Sequence, residues 1–165
     1  MELIDSHTHL DFPDFDQDRE QLLRNARQQG VQQIIVLGVQ QGNWERVWNL
    51  VQADQQLYAA LGLHPVYLDE HTPAHLDELA EWLQRLRGHR QLCAIGEFGL
   101  DYYLKDLDRE RQQALFEAQL QMASDFQLPV LLHVRHSHAA VIATLKRYRL
   151  QRSGIIHAFA GSFEE

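Results

Sequence analysis

Residues 3–11 read Leu-Ile-Asp-Ser-His-Thr-His-Leu-Asp. A short aliphatic run passes straight into an acid, a hydroxyl and two histidines at i and i+2. On a strand such positions point to one side, so His7 and His9 aim both imidazoles at one place while Thr8 faces away. The segment predicts a first strand whose C-terminal end carries chemistry, with Asp5 as a supporting group for the histidines.

Similar aliphatic runs recur at 34–37, 57–61, 92–95, 130–132 and 155–156. They are continuous rather than alternating, as expected of parallel strands buried on both faces. Helical stripes lie between them. Leu22, Leu23 and Ala26 form one; Trp44, Val47, Trp48 and Val51 another; Leu76, Leu79, Ala80 and Leu83 a third. Leu115, Ala118, Met122 and Phe126 predict a fourth, and Val141, Leu145 and Tyr148 a fifth. Thr72-Pro73 supplies an N-cap and a first-turn proline, and Gly30 and Gly88 stand where helices should stop. Regular β-α alternation means a parallel sheet with right-handed crossovers. That leaves an open doubly wound sheet or a (β/α)8 TIM barrel, of which 165 residues supply most of the roughly 250 needed.

The strand ends are chemically loaded. Strand three runs into Gly62-Leu63-His64-Pro65, strand four into Gly96-Glu97-Phe98-Gly99-Leu100-Asp101, strand five into His133-Val134-Arg135, and strand six into His157-Ala158-Phe159. In parallel α/β folds the strand C-termini line the functional face. Convergent imidazoles suit a divalent cation of the Zn, Mn, Fe, Co or Ni type. Glu97 has two oxygens with which to bridge two such ions, and His133 and His157 complete the second. Any one of these residues alone reads as an ordinary polar strand end. Their shared position at successive strand ends makes the metal site. His71, His75 and His89 read as solvated helix-face residues, His136 and His138 take no assigned role, and Trp44, Trp48 and Trp82 read as core.

Composition narrows the function. The formal net charge is −8, with 23 acidic against 15 basic side chains, which argues against nonspecific coating of duplex nucleic acid. Bound cations would still attract a phosphate locally. No apolar stretch reaches the roughly 20 residues of a membrane span. The N-terminus lacks a secretory pattern, and the single cysteine, Cys93, excludes an internal disulfide. A cytoplasmic protein with no membrane and no obligate protein partner is expected.

Taken together, the 3–11 run, Gly62–Pro65, Gly96–Asp101, Leu128–Arg135 and the 157–162 run His-Ala-Phe-Ala-Gly-Ser resemble the signatures of the TatD family of metal-dependent hydrolases. The resemblance covers essentially the whole chain, 1–165, as the N-terminal portion of a single barrel domain. It implies a TIM barrel of the metal-dependent hydrolase type and deoxyribonuclease-type cleavage of phosphodiesters at DNA ends. It implies two divalent cations, such as Mg, Mn or Zn, with His7 and His9 on one, Glu97 bridging, and His133 and His157 on the other. His64 and Arg135 would face the substrate phosphate. The run after Arg135 departs from the family's commoner pattern, lacking an acid there. A further metal-binding aspartate of the family, at the end of strand eight, would lie beyond Glu165. Strands seven and eight are therefore expected to be missing, leaving strands one and six as open edges. Two rival readings stay open: a related barrel hydrolase acting on an amide or lactone, and an inactive metal-binding fragment.

Overall fold

The structure, a computed structural model, describes residues 2–148 and 150–162. Its strands are β1 (Leu3–Thr8), β2 (Val31–Gly38), β3 (Leu57–Leu61), β4 (Leu92–Asp101), β5 (Val130–Arg135) and β6 (Gly154–Ile156). Helices α1 (Arg19–Gln28), α2 (Gln41–Gln52), α3 (Pro73–Arg85), α4 (Arg109–Phe126) and α5 (His138–Leu145) fall between them in strict alternation. Thr72 caps α3 with Pro73 at its first turn, and Gly30 and Gly88 adopt φ of 95° and 78° just past α1 and α3.

All neighbouring strands pair in parallel, in the order β1-β2-β3-β4-β5-β6. A doubly wound sheet reverses its strand order at a switch point. This sheet never reverses, so the topology is that of successive units of a (β/α)8 barrel. The sheet also curls. The ring of His7, on β1, stacks on that of His157, just past β6, at 3.5 Å between centroids. β1 and β6 are the outer strands, and Ile4 on one is 64% exposed and Ile155 on the other 46%.

Why the strands read as continuous apolar runs is now plain. Ile34, Val36, Leu57, Leu61, Ile95, Phe98, Leu132 and Val134 pack outward beneath the helices, with Trp44, Leu79, Leu83 and Phe116. Leu37, Ala60, Ala94 and Leu131 form a second, smaller cluster, flanked by Ile35 and Cys93. Along β5 the alternation separates Val130, Leu132 and Val134 in the first cluster from Leu131 in the second, and His133 and Arg135 continue the Leu131 side toward the C-terminal end. The candidate site therefore sits directly above the smaller cluster. Among the described residues no helix is long and apolar enough to cross a membrane.

One helix departs from expectation. The fully buried face of α4 is Gln112, Phe116, Gln119, Leu120 and Ala123, whereas Leu115, Met122 and Phe126 sit half-buried on its flank. Two glutamines occupy the deepest positions because each closes a pair of hydrogen bonds with a strand end. The Leu63 N–H donates to Gln119 Oε1 (2.8 Å) and Gln119 Nε2 donates to the Leu63 carbonyl (3.1 Å). Gln112 does the same with the Asp101 N–H (2.8 Å) and carbonyl (3.1 Å). A buried amide costs little when every polar atom is matched. Two turns of α4 thus fix the chain beside His64 and at Asp101.

Backbone approach is equally tight between β4 and β5. Gly99 has φ of 153°, and a Cβ there would run into the His133 carbonyl, so this position on the ladder admits only glycine.

Gln119→Leu keeps the volume of the α4 contact and strands both Leu63 backbone groups. It should lower unfolding free energy by about 2–4 kcal/mol in a urea titration. An unchanged midpoint would show that the clamp does not hold the strand end.

Candidate metal centre

The loaded strand ends converge on one carboxylate. Glu97, on β4, is only 2% exposed. Its Oε2 lies 3.2 Å from His7 Nε2 and 3.5 Å from His9 Nε2. Its Oε1 lies 3.3 Å from His133 Nδ1 and 3.6 Å from His64 Nε2. The two oxygens are divided between two pairs of imidazoles. Each group, His7-His9-Glu97 and His64-Glu97-His133, brings its ligand atoms within 4.8 Å of one another. A mixed imidazole and carboxylate set of this kind fits divalent transition cations, and a carboxylate with one oxygen in each group fits a pair.

Local structure explains why the rings stand where they do. Asp5 Oδ1 accepts the His7 N–H at 3.1 Å, and the Thr8 hydroxyl turns away to donate to the Ile35 carbonyl. Past His9 the chain is pinned by buried Asp11, which accepts from Asn43 Nδ2 of α2 at 2.9 Å. His64 follows β3 and heads the 3-10 turn Pro65–Glu70.

Hydrogen bonds also select the tautomers. The Val66 N–H donates to His64 Nδ1 at 3.1 Å. That leaves the proton of neutral His64 on Nε2, so the nitrogen facing Glu97 is a donor and not a ligand lone pair. His133 is arranged oppositely. Its Nε2 donates to Asp101 Oδ2 at 3.0 Å, so Nδ1, which donates to Glu97 here, is the nitrogen that can give up its proton and offer a lone pair to a cation. Asp101 is fully buried, and its other oxygen accepts the backbone N–H groups of Tyr103 and Leu104.

The electrostatics follow from this packing. Burial alone would raise the pKa of Glu97, but hydrogen bonds from His133, His64 and His7 outweigh it and hold the carboxyl far below the usual range. Burial lowers the pKa of His9 and of His64, which keeps both neutral near pH 7. For His133, burial pulls downward, but Glu97 and Asp101 together prevail and the net shift is upward.

Of the residues expected from sequence, His7, His9, His64, Glu97 and His133 come together. His157 stands over His7, outside both groups, where burial and the neighbouring His7 lower its pKa. Arg135 lies exposed at the end of β5 with its guanidinium carbon 3.7 Å above the Tyr103 ring. His71 corrects the sequence reading. It is buried, not solvated, and its Nε2 donates to the His64 carbonyl at 2.9 Å, while its own carbonyl accepts from Arg111 at 2.5 Å. Asp101, Gln112 and Gln119 were also missed as parts of the site. Their signal was faint: an acid closing a strand, and two amides seven residues apart on an apolar helix face.

Comparison with known proteins identifies the family. The family model described as TatD related DNase matches residues 4–165. The chain is 43% identical over 162 residues to the uncharacterized metal-dependent hydrolase YjjV of Escherichia coli K12, covering 98% of this chain and 62% of that protein. It is 33% identical over 165 residues to a protein of Pantoea sp. At-9b named 3'-5' ssDNA/RNA exonuclease TatD, covering 99% and 62%. The crystal structure of the YjjV TatD homolog from Escherichia coli superposes with a TM-score of 0.93 over 98% of this chain and 62% of that one, at 43% identity. A hydrolase of the TatD family from Entamoeba histolytica, 23% identical, shares the fold at a TM-score of 0.86 over 99% and 60%. The chain thus spans 62% of the length of the curated relatives named here. With its strand-end motifs, its sheet order and a matching family model over nearly its whole length, the chain belongs to the TatD related DNase family.

Proposed function

We propose that this protein hydrolyses phosphodiester bonds at single-stranded nucleic-acid ends, of the deoxyribonuclease type, with two divalent cations held across Glu97. The observation that carries the reading is the division of the Glu97 oxygens between two groups of imidazoles. The name of the Pantoea relative, an ssDNA/RNA exonuclease, supports the substrate class. The net charge of −8 also favours ends over continuous duplex. Cys93, half-buried and a free thiol, agrees with a cytoplasmic setting.

His7 and His9 would hold one cation with Glu97 Oε2. Glu97 Oε1 and the Nδ1 lone pair of His133 would hold the other, and His157 is the remaining imidazole for it because His64 presents an N–H. Bound divalent cations would supply Lewis acidity to a phosphoryl oxygen and lower the pKa of a water. The protein's own groups do the rest. Asp101 keeps His133 in the tautomer that binds. Val66 keeps His64 in the tautomer that donates, so its Nε2–H is available to a nonbridging phosphate oxygen. The forked donors of Arg135 suit an adjoining phosphate at the rim.

Metal content checks the bridge. After loading with Mn2+ and gel filtration, the protein should carry two ions per chain, and Glu97→Gln should lose both. Retention of one full equivalent in that variant would rule out a shared carboxylate.

A second comparison separates the histidine roles. His157→Ala should drop the content to one ion. His64→Ala should keep two but slow hydrolysis of a model phosphodiester by about 100-fold, the usual cost of an electrostatic donor. The reverse pattern would make His64 the ligand. Turnover of a lactone or amide in place of every phosphodiester would replace the substrate class altogether.

A further inference from the structure

Beyond the Glu97 cluster, the ends of β4 and β5 build a shelf around Arg135 that takes in two residues, Tyr103 and His136, with no role in the hydrolysis proposed above. Arg135 follows His133 by two positions on the same face of β5, about 7 Å further along the strand. Its guanidinium Cζ lies over Tyr103, 3.7 Å from the ring centroid. His136 meets the same ring edge-on, at 5.3 Å and 85°. All three are exposed, and Tyr103 remains 51% in water. A cleft of about 690 Å³, lined also by Lys105 and Asp106, opens beside Tyr103 and His136.

The shelf is held firmly for a surface feature. The Tyr102 N–H donates to the Arg135 carbonyl at 2.8 Å, which ties the two strand ends together. The Ser137 hydroxyl donates to the Leu100 carbonyl at 2.7 Å. Asp101, the carboxylate that orients His133, also accepts the Tyr103 N–H at 3.0 Å and the Leu104 N–H at 3.3 Å. His136 adopts φ of 54°, an uncommon backbone for a residue with a side chain, and in that conformation its ring stands against Tyr103. One buried group therefore sets both the metal-facing imidazole and the start of the aromatic shelf.

We propose that Tyr103, Arg135 and His136 form a subsite that stacks one nucleobase of a single strand while Arg135 holds the adjoining phosphate. The chemistry is specific to such a ligand. A guanidinium held over an aromatic ring keeps several N–H donors with which to bind a phosphate. The part of the Tyr103 ring left in water offers a surface to any base, because every base has a π-face. In a duplex that face is covered by neighbouring pairs, so the shelf selects unpaired ends. The identity of the ligand rests on the phosphodiesterase reading; the stacking geometry does not.

Direct binding tests it without relying on turnover. Fluorescence anisotropy would compare a labelled thymidine pentamer with an abasic pentamer of the same backbone, both with phosphorothioate linkages, in Mg2+. The wild-type chain should prefer the base-bearing strand by roughly tenfold. Tyr103→Ala should erase most of that preference, Tyr103→Phe should keep it, and Arg135→Gln should weaken both ligands alike. Equal binding of the two pentamers by the wild type, no binding of either, or an unchanged preference in Tyr103→Ala would overturn the subsite. Tyr103 is half in solvent, so matching thermal melts will show that its variants fold. A wild type that prefers bases yet cleaves no phosphodiester would instead sink the hydrolytic reading and leave the shelf standing.

Discussion

A carboxylate buried to 2% exposure must be answered by its surroundings, and in this protein Glu97 is answered almost wholly by imidazoles. An ionised group removed from water is costly unless it is paired and hydrogen-bonded. Strand β1 and the residue just past it deliver two histidines to it, and β5 and the segment after β3 one each. The parallel, in-order sheet is what lets groups far apart in sequence meet at one height, because every strand ends on the same face. Close approach at Gly99, the glutamine clamps of α4 and the Asp5 and Asp11 contacts around the first motif all serve that convergence.

Position alone does not assign roles to the histidines. His64 and His133 both face Glu97 Oε1 at similar distance, yet their outer hydrogen bonds make them chemically opposite. A backbone N–H on Nδ1 makes His64 a proton donor at the site. A carboxylate on Nε2 leaves Nδ1 as the nitrogen by which His133 would give a lone pair to a cation. The partners that decide this, Val66 and Asp101, touch no metal and no substrate in the proposed chemistry. Their effect is to fix which nitrogen carries the proton, and that choice separates a ligand from a substrate contact.

Much of this was legible in the sequence. Continuous aliphatic runs with period-3.6 stripes between them gave the alternation, and each run flagged its own polar end. The choice between barrel and doubly wound sheet was not legible from pattern, because both share the same local units; only the strand order separates them. Within the site, His7, His9, Glu97 and His133 could be read because i, i+2 spacing and strand-end position have direct geometric meaning. His71 could not, since it packs against the His64 carbonyl across the 3-10 turn and against Arg111, forty residues away in the chain. Gln112 and Gln119 look like ordinary polar helix residues until the strand ends they satisfy are in place. Tertiary hydrogen bonding, unlike hydrophobic period, leaves no local trace.

The central claim is that one glutamate divides its two oxygens between two cation sites. Anomalous diffraction from crystals of the Mn2+-loaded protein tests it most directly. Two manganese peaks are predicted, one between Glu97 and the His7-His9 pair and one between Glu97 and His133, with no peak ligated by His64. A single peak, or a pair that leaves Glu97 outside the coordination shell, would contradict the account.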